Sequence, residues 1–113
     1  MERGILAVQT EAIAGADDAF NAWYDEVHVP EILTTPGFAS CRRYRVRQSP
    51  LASQRDATAW TTYFAIYEIS GGVVSAHTEL LQRVAAGELT PSNLVAPRPY
   101  RSQLFEQIAE ISR

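Results

Sequence analysis

The sequence predicts one α+β domain over residues 1–113, with its elements in the order βαββαβ. Three observations carry this. Residues 4–10 and 57–69 alternate in a strand pattern but are apolar on both faces. Two other segments, starting near 17 and 73, repeat their apolar residues at helical spacing. Pro-Gly, Gly-Gly and proline-rich breaks separate these segments.

GILAVQT, residues 4–10, is the first strand, with Leu6 and Val8 on one face and Ile5 and Ala7 on the other. A helix is expected next, where Asp17 or Asp18 can cap the orphan amides and suit the positive end. Phe20, Trp23, Tyr24 and Val27 recur on one side of that helix. Pro30 lacks an amide and crowds the preceding turn, so a kink or restart is expected there, with PEILT as a short second piece. TTPGF is a turn. The second strand, Phe38–Arg47, alternates Phe38, Ser40, Arg42, Tyr44 and Val46 against Ala39, Cys41, Arg43, Arg45 and Arg47.

The third strand, 57–69, sets Trp60, Thr62, Phe64 and Ile66 against Tyr63, Ala65, Tyr67 and Ile69. Val73, His77, Leu80, Leu81 and Val84 mark the second helix, which ends at Gly87. Tyr100–Glu106 is the last strand, and QIAEISR a short, helical tail. This order is the ferredoxin-like split unit: a four-stranded antiparallel sheet with two helices on one face. Strands one and three are apolar on the other face too. The same face of a second chain is the economical cover, so a homodimer through the sheet faces is expected.

A chain of 113 residues supports one core, burying roughly two-thirds of its unfolded surface. The net charge is −3, which argues against a nucleic-acid partner. All ten basic residues are arginine, so no lysine can form a Schiff base. Cys41 is the only cysteine, which excludes an internal disulfide. No apolar run approaches the ~20 residues of a membrane helix, and the start is too short in apolar residues for a signal peptide. A soluble, cytoplasmic protein without a membrane partner is expected.

His28 is the first candidate for chemistry, because imidazole titrates near neutral pH. Asp25, three residues earlier, falls on a neighbouring helical turn and can orient the ring of a general base. Glu31 sits near the apolar stripe if the helix runs straight. It is then a partner for a buried arginine, a carboxylic acid with a raised pKa, or, after a restart, a solvated first-turn residue. Arg42 shares a face with Tyr44, and can hold an anionic substrate group or pair with Glu31 or Glu68. Arg43, Arg45 and Arg47 read as solvent or dimer-rim groups. Tyr24 and Tyr67 are the candidate hydrogen-bond donors to a developing oxyanion. Trp23, Tyr44, Trp60 and Tyr63 can wall in a flat ligand. His77 reads as a half-buried core histidine or a pocket residue. Two histidines and one cysteine make no strong metal motif, and no glycine-rich phosphate loop is present.

The WYDEVHVPE run, the PGF turn into RRYRV, the YFAIYEI strand and the LFEQIAE end resemble EthD-like proteins of the dimeric α/β-barrel superfamily. The resemblance covers most of the chain. It implies a dimeric α/β barrel with a pocket between helices and sheet in each subunit. Relatives of that superfamily include polyketide cyclases, lactone isomerases, cofactor-free oxygenases and haem-degrading enzymes. By position it carries over His28, Tyr24 and Tyr67. The Asn of the haem-degrading branch is replaced here by Gln9, and the spacing of Trp60 and His77 departs from that branch, so haem chemistry is not implied. The olivetolic-acid-cyclase-like branch has more histidines than this chain.

The expectation is therefore a small cyclase or isomerase of secondary metabolism that works without a cofactor. It would act on a hydrophobic, polyketide-like or aromatic carbonyl metabolite, with His28 as base. The alternatives are a non-catalytic protein that binds such a metabolite, and a cofactor-free monooxygenase.

Overall fold

The computed structural model describes residues 2–47, 62–95 and 101–113. Strand β1 (Arg3–Glu11) leads into helix α1 (Asp17–Trp23), a π-helical turn (Tyr24–His28) and helix α2 (Val29–Ile32). Then follow β2 (Phe38–Arg45), β3 (Thr62–Ser70), α3 (Val73–Ala85) and β4 (Arg101–Glu106). The strands form one antiparallel sheet in the order β2-β3-β1-β4. An α+β chain with this open sheet and two helical segments is compatible with the ferredoxin-like fold. Residues 57–61, assigned to the third strand from sequence, and Tyr100, assigned to the fourth, lie outside the described residues, and so does Trp60. Residues 107–113 carry no helix, against the expectation from sequence.

The helices cover one face of the sheet. Leu6, Tyr63, Ala65, Tyr67 and Ile69 are buried beneath Phe20, Tyr24 and Ile32 on one side and Val73, Ala76 and Leu80 on the other. The opposite face carries Ile5 and Ala7 on β1, Phe64 and Ile66 on β3, and Phe105 on β4, all at least partly exposed. The alternation predicted for β1 and β3 is thus observed, with the second face open in the single chain.

Two local irregularities decide where side chains point. At Pro30 the helix does not kink apart. Backbone angles stay helical at Tyr24, His28 and Val29, while the hydrogen bonding widens to a π turn before the proline. Proline offers no amide to the carbonyl four residues back and its ring crowds that carbonyl; a wider turn just before it relieves both problems. The restart predicted at Pro30 is present as α2, with Val29 at its first position and Pro30 at its second.

The second irregularity is a bulge between Phe38 and Ser40: Phe38 pairs with Ile69 and Ser40 with Glu68. One extra residue exchanges the two faces of β2 from Ser40 onward. Phe38 points into the core, but Arg42 and Tyr44 do not follow it. Upstream, Thr35–Phe38 closes with a Phe38 N–H to Thr35 C=O bond of 3.1 Å. Gly37 takes φ +93° after Pro36, the arrangement of a type II turn.

Candidate functional site

Between the helices and the covered sheet face lies a cleft of about 450 Å3, within the usual range for small-molecule sites. Its floor is Leu6, Val8 and Thr10 of β1 with Ser102 of β4. One wall is Trp23, Tyr24, His28 and Ile32; the other is His77, Leu80, Leu81 and Val84 of α3. Leu89, Thr90, Pro91, Ser92 and Val95 form its rim. The exposure of Leu81 and Val84, 54% and 51%, is explained by this position.

The π turn builds the wall that carries His28. Closing i→i+5 bonds stacks residues five apart, so Trp23 lies against the His28 ring at 4.7 Å between centroids and 23° between planes. Tyr24 meets the same ring edge-on at 4.8 Å. An ordinary helical wheel separates Trp23 from His28, so this contact was not visible from the apolar spacing. Among the described residues neither the buried His28 Nδ1 nor Trp23 Nε1 has a hydrogen-bond partner.

These surroundings push two ionisable groups apart. Burial lowers the His28 pKa below its ordinary value; nearby Glu31 partly offsets this and Arg43 adds to it. Burial pushes the Tyr24 hydroxyl up to about 12, against smaller opposing effects from Tyr67 and Arg43. At neutral pH the cleft wall therefore presents an uncharged imidazole beside a protonated phenol.

The structure brings Trp23, Tyr24, His28 and His77 together in the cleft and places the other sequence candidates elsewhere. The Asp25 carboxylate accepts from Arg43 Nη1 at 2.8 Å, so it does not orient His28. Glu31 is not among the cleft-lining residues, and among the described residues its carboxylate pairs with no arginine side chain. Its carboxylate accepts from the Thr90 amide at 3.1 and 3.2 Å and from the Thr90 hydroxyl at 3.1 Å, which fastens the rim loop. Arg83 ties the same region to α3, donating to the Glu31 carbonyl and to Thr35 Oγ1.

Arg42 is on the open face, donating to Glu68 at 2.6 Å, the alternative pairing read from sequence. Tyr44 is on that face as well, 53% exposed. The bulge removes both from the helix side. Tyr63 is buried under α1, where its hydroxyl donates to Asp17 at 2.7 Å and accepts from Asn21 at 3.3 Å. Tyr67 is fully buried beneath the cleft rather than lining it; among the described residues its hydroxyl has no partner in full hydrogen-bond geometry, and burial, with the nearby Tyr24 hydroxyl adding to it, raises its pKa. Cys41, on the helix side of β2, is likewise held up to about 11 by burial, so it is a thiol and not a nucleophile at neutral pH.

Sequence reasoning missed the rim. Thr90 and Ser92 lie in a proline-containing polar loop, and binding groups often sit on such loops; their distance in sequence from His28 hid the association. It also missed Arg43, which the bulge turns inward.

Among the described residues no cluster of three or more His, Cys, Asp or Glu side chains is arranged to hold a metal ion. Nor is any described helix long and apolar enough to cross a membrane. Fold and cleft together define an α+β protein with an aromatic-walled, largely apolar pocket against a four-stranded sheet. No protein-family model matches the chain, and no curated protein matches it in sequence.

Proposed function

We propose that this chain is a cofactor-independent enzyme of the cyclase or isomerase type, acting on a small apolar or aromatic carbonyl compound in the cleft. The observation that carries the proposal is the His28–Tyr24 pair: one group is held neutral and the other protonated on the same apolar wall. Two titratable groups driven apart in this way suit a base and an acid. His28 accepts a proton from the carbon beside the carbonyl. The C–H electron pair moves to the carbonyl oxygen as an enolate, and a protonated hydroxyl from Tyr24 stabilises it. Return of the proton from His28 to another carbon completes isomerisation; in cyclisation the enolate carbon attacks a second carbonyl, whose π bond opens to an alkoxide, and that alkoxide takes the proton back from His28.

Deuterium uptake from heavy water into a panel of β-diketones, lactones and phenolic ketones tests this, read by mass spectrometry. Exchange catalysed by the wild type and abolished in His28→Ala is expected. Equal exchange in both proteins removes His28 from the role.

One observation favours a second reading, a non-catalytic metabolite-binding protein: the carboxylate best placed in sequence to orient His28 is engaged by Arg43. Ligand binding that persists in His28→Ala, without exchange in either protein, selects it.

The resemblance to EthD-like proteins belongs to the same proposal, and so does a homodimer. The open sheet face, with Ile5, Phe64, Ile66 and Phe105 uncovered, supports pairing with the same face of a second copy in an α/β barrel.

A further inference from the structure

Arg43 is an arginine with an unusual setting for a strand residue next to solvent. Its side chain is only 15% exposed. The guanidinium carbon lies 4.3 Å from the centroid of the Tyr24 ring, with Tyr63 at 5.5 Å and Phe20 at 5.7 Å. Nη1 donates to Asp25 at 2.8 Å and Nη2 to Asn21 at 2.9 Å. Asp25 follows Tyr24 in the π turn, and Asn21 lies in α1. A single side chain from β2 thus grips both parts of the helical run on either side of Trp23 and lies on the face of Tyr24.

We infer that Arg43 is the positioning residue of the cleft, fixing the Tyr24 ring and, through it, the His28 ring that Tyr24 touches. Arg43 does not itself line the cleft. Its fork explains why it must be arginine: a planar guanidinium can stack on a ring and still reach two acceptors, whereas an ammonium is a point charge. This rests on the cleft being the functional site.

The groups facing His28 are Glu31 on α2, Arg43 on β2, the Trp23 and Tyr24 rings of its own run, and His77 across the cleft on α3. From β1 the cleft receives only Leu6, Val8 and Thr10. Arg43 is thus the cation whose removal moves the imidazole titration upward.

The test measures two quantities in wild type, Arg43→Gln, Arg43→Lys and Arg42→Gln: the His28 pKa by NMR, and the affinity for 2-naphthol by tryptophan fluorescence. Arg43→Gln should raise the His28 pKa and weaken naphthol binding about fivefold or more. Arg43→Lys should return the pKa toward wild type but leave binding weakened, because charge is restored and the two-acceptor grip is not. Arg42→Gln should change neither. A raised pKa with unchanged affinity overturns the inference, since charge alone then acts. So does an effect of Arg42→Gln equal to that of Arg43→Gln. If Arg43→Gln does not fold, Arg43→Lys decides: wild-type affinity overturns the inference and reduced affinity upholds it. If the wild type does not bind naphthol, the cleft is not the binding site and the ring resonances of Trp23 and His28 judge Arg43: wild-type ring shifts in Arg43→Lys overturn the inference, and displaced ones uphold it.

Discussion

The two faces of one sheet give neighbouring arginines opposite fates. On the open face Arg42 meets Glu68 in a solvated pair, where screening and side-chain freedom leave little net stabilisation. On the covered face Arg43 sits among three aromatic rings and two helix acceptors. Strand alternation puts the two on opposite faces, and the one-residue bulge decides that Arg43, not Arg42, is the one facing inward. The covered face is where burial shifts titrations and where the cleft of about 450 Å3 lies. The open face carries Ile5, Ala7, Phe64, Ile66 and Phe105 beside the Arg42–Glu68 pair, and is the surface on which the subunit contact is proposed.

The sharpest way to break this contrast is through the chemistry assigned to the covered face. His28→Ala should lower carbon-acid exchange about 100-fold or more, the usual weight of a general base, with an unchanged circular dichroism spectrum. Arg42→Gln, on the other face, should leave the rate as it was. Equal losses in the two variants would show that the working face has been misassigned.

The open face is broken by charge. Ile66→Glu places a carboxylate in the middle of the proposed subunit contact, where it would be buried without a partner. Light scattering should report a wild-type dimer and an Ile66→Glu monomer with wild-type secondary structure. A monomeric wild type leaves the apolar open face unexplained by self-association and sinks the barrel.

Packing of the covered face offers a third test. A Cβ at Gly4 would fall 2.0 Å from the Phe105 carbonyl oxygen and 2.9 Å from Val73 Cγ2. Since one obstacle is backbone, β1 and β4 must part. Gly4→Ala should destabilise the protein by about 1–3 kcal/mol, the range for overpacking a tight site, read as a lower urea midpoint. Little change would mean that β4 is held loosely against β1.

Much of the fold was legible because alternation and helical spacing are direct consequences of which faces must be apolar. β1, β3 and α3 obeyed them, so Tyr63, Ala65, Tyr67 and Ile69 were grouped on one face of β3, though with both faces apolar the alternation did not say which one the helices cover. The failures share a cause. Period-based reasoning assumes a constant phase, and both the bulge after Phe38 and the π turn before Pro30 insert a residue's worth of phase. The first moved Arg42 and Tyr44 out and Arg43 in. The second created the Trp23–His28 stack and left Asp25 facing β2. Pro30 is a visible warning of the second; nothing in PGFASC marks the first. Glu31 was misjudged for another reason, since its partner Thr90 is 59 residues away in a loop.

Acidity probes the covered face more gently. The His28 pKa is lowered by burial, so over the interval from its ordinary value of about 6.5 down to the folded value the unfolded chain binds the proton more readily. The His28 contribution to stability is therefore present above that interval and lost as pH falls through it, with a slope of at most about 1.4 kcal/mol per pH unit for one proton. Urea midpoints at successive pH values should fall more steeply in wild type than in His28→Gln. Parallel slopes would mean that the imidazole is as solvated when folded as when unfolded.

The smallest expected effect separates two tyrosines on one face of β3. The Tyr63 hydroxyl donates to Asp17 and accepts from Asn21, so Tyr63→Phe should cost about 1 kcal/mol and strand those partners. Among the described residues the equally buried Tyr67 hydroxyl has no partner in full hydrogen-bond geometry, although Tyr24 lies close enough to shift its titration, and a buried polar group so placed is itself a cost. Tyr67→Phe should then be neutral, or stabilising by up to about 1 kcal/mol. Opposite or unequal shifts in the urea midpoint of the two variants are the expected result. A Tyr67→Phe variant less stable than Tyr63→Phe would show that its hydroxyl is bonded in solution. Carbon-acid exchange in Tyr67→Phe adds a further distinction. A hydroxyl sealed beneath the cleft should leave the rate unchanged, whereas a slowed, well-folded variant would restore Tyr67 to the oxyanion role that its place in the sequence suggests, with the Tyr24 side chain moving to admit it.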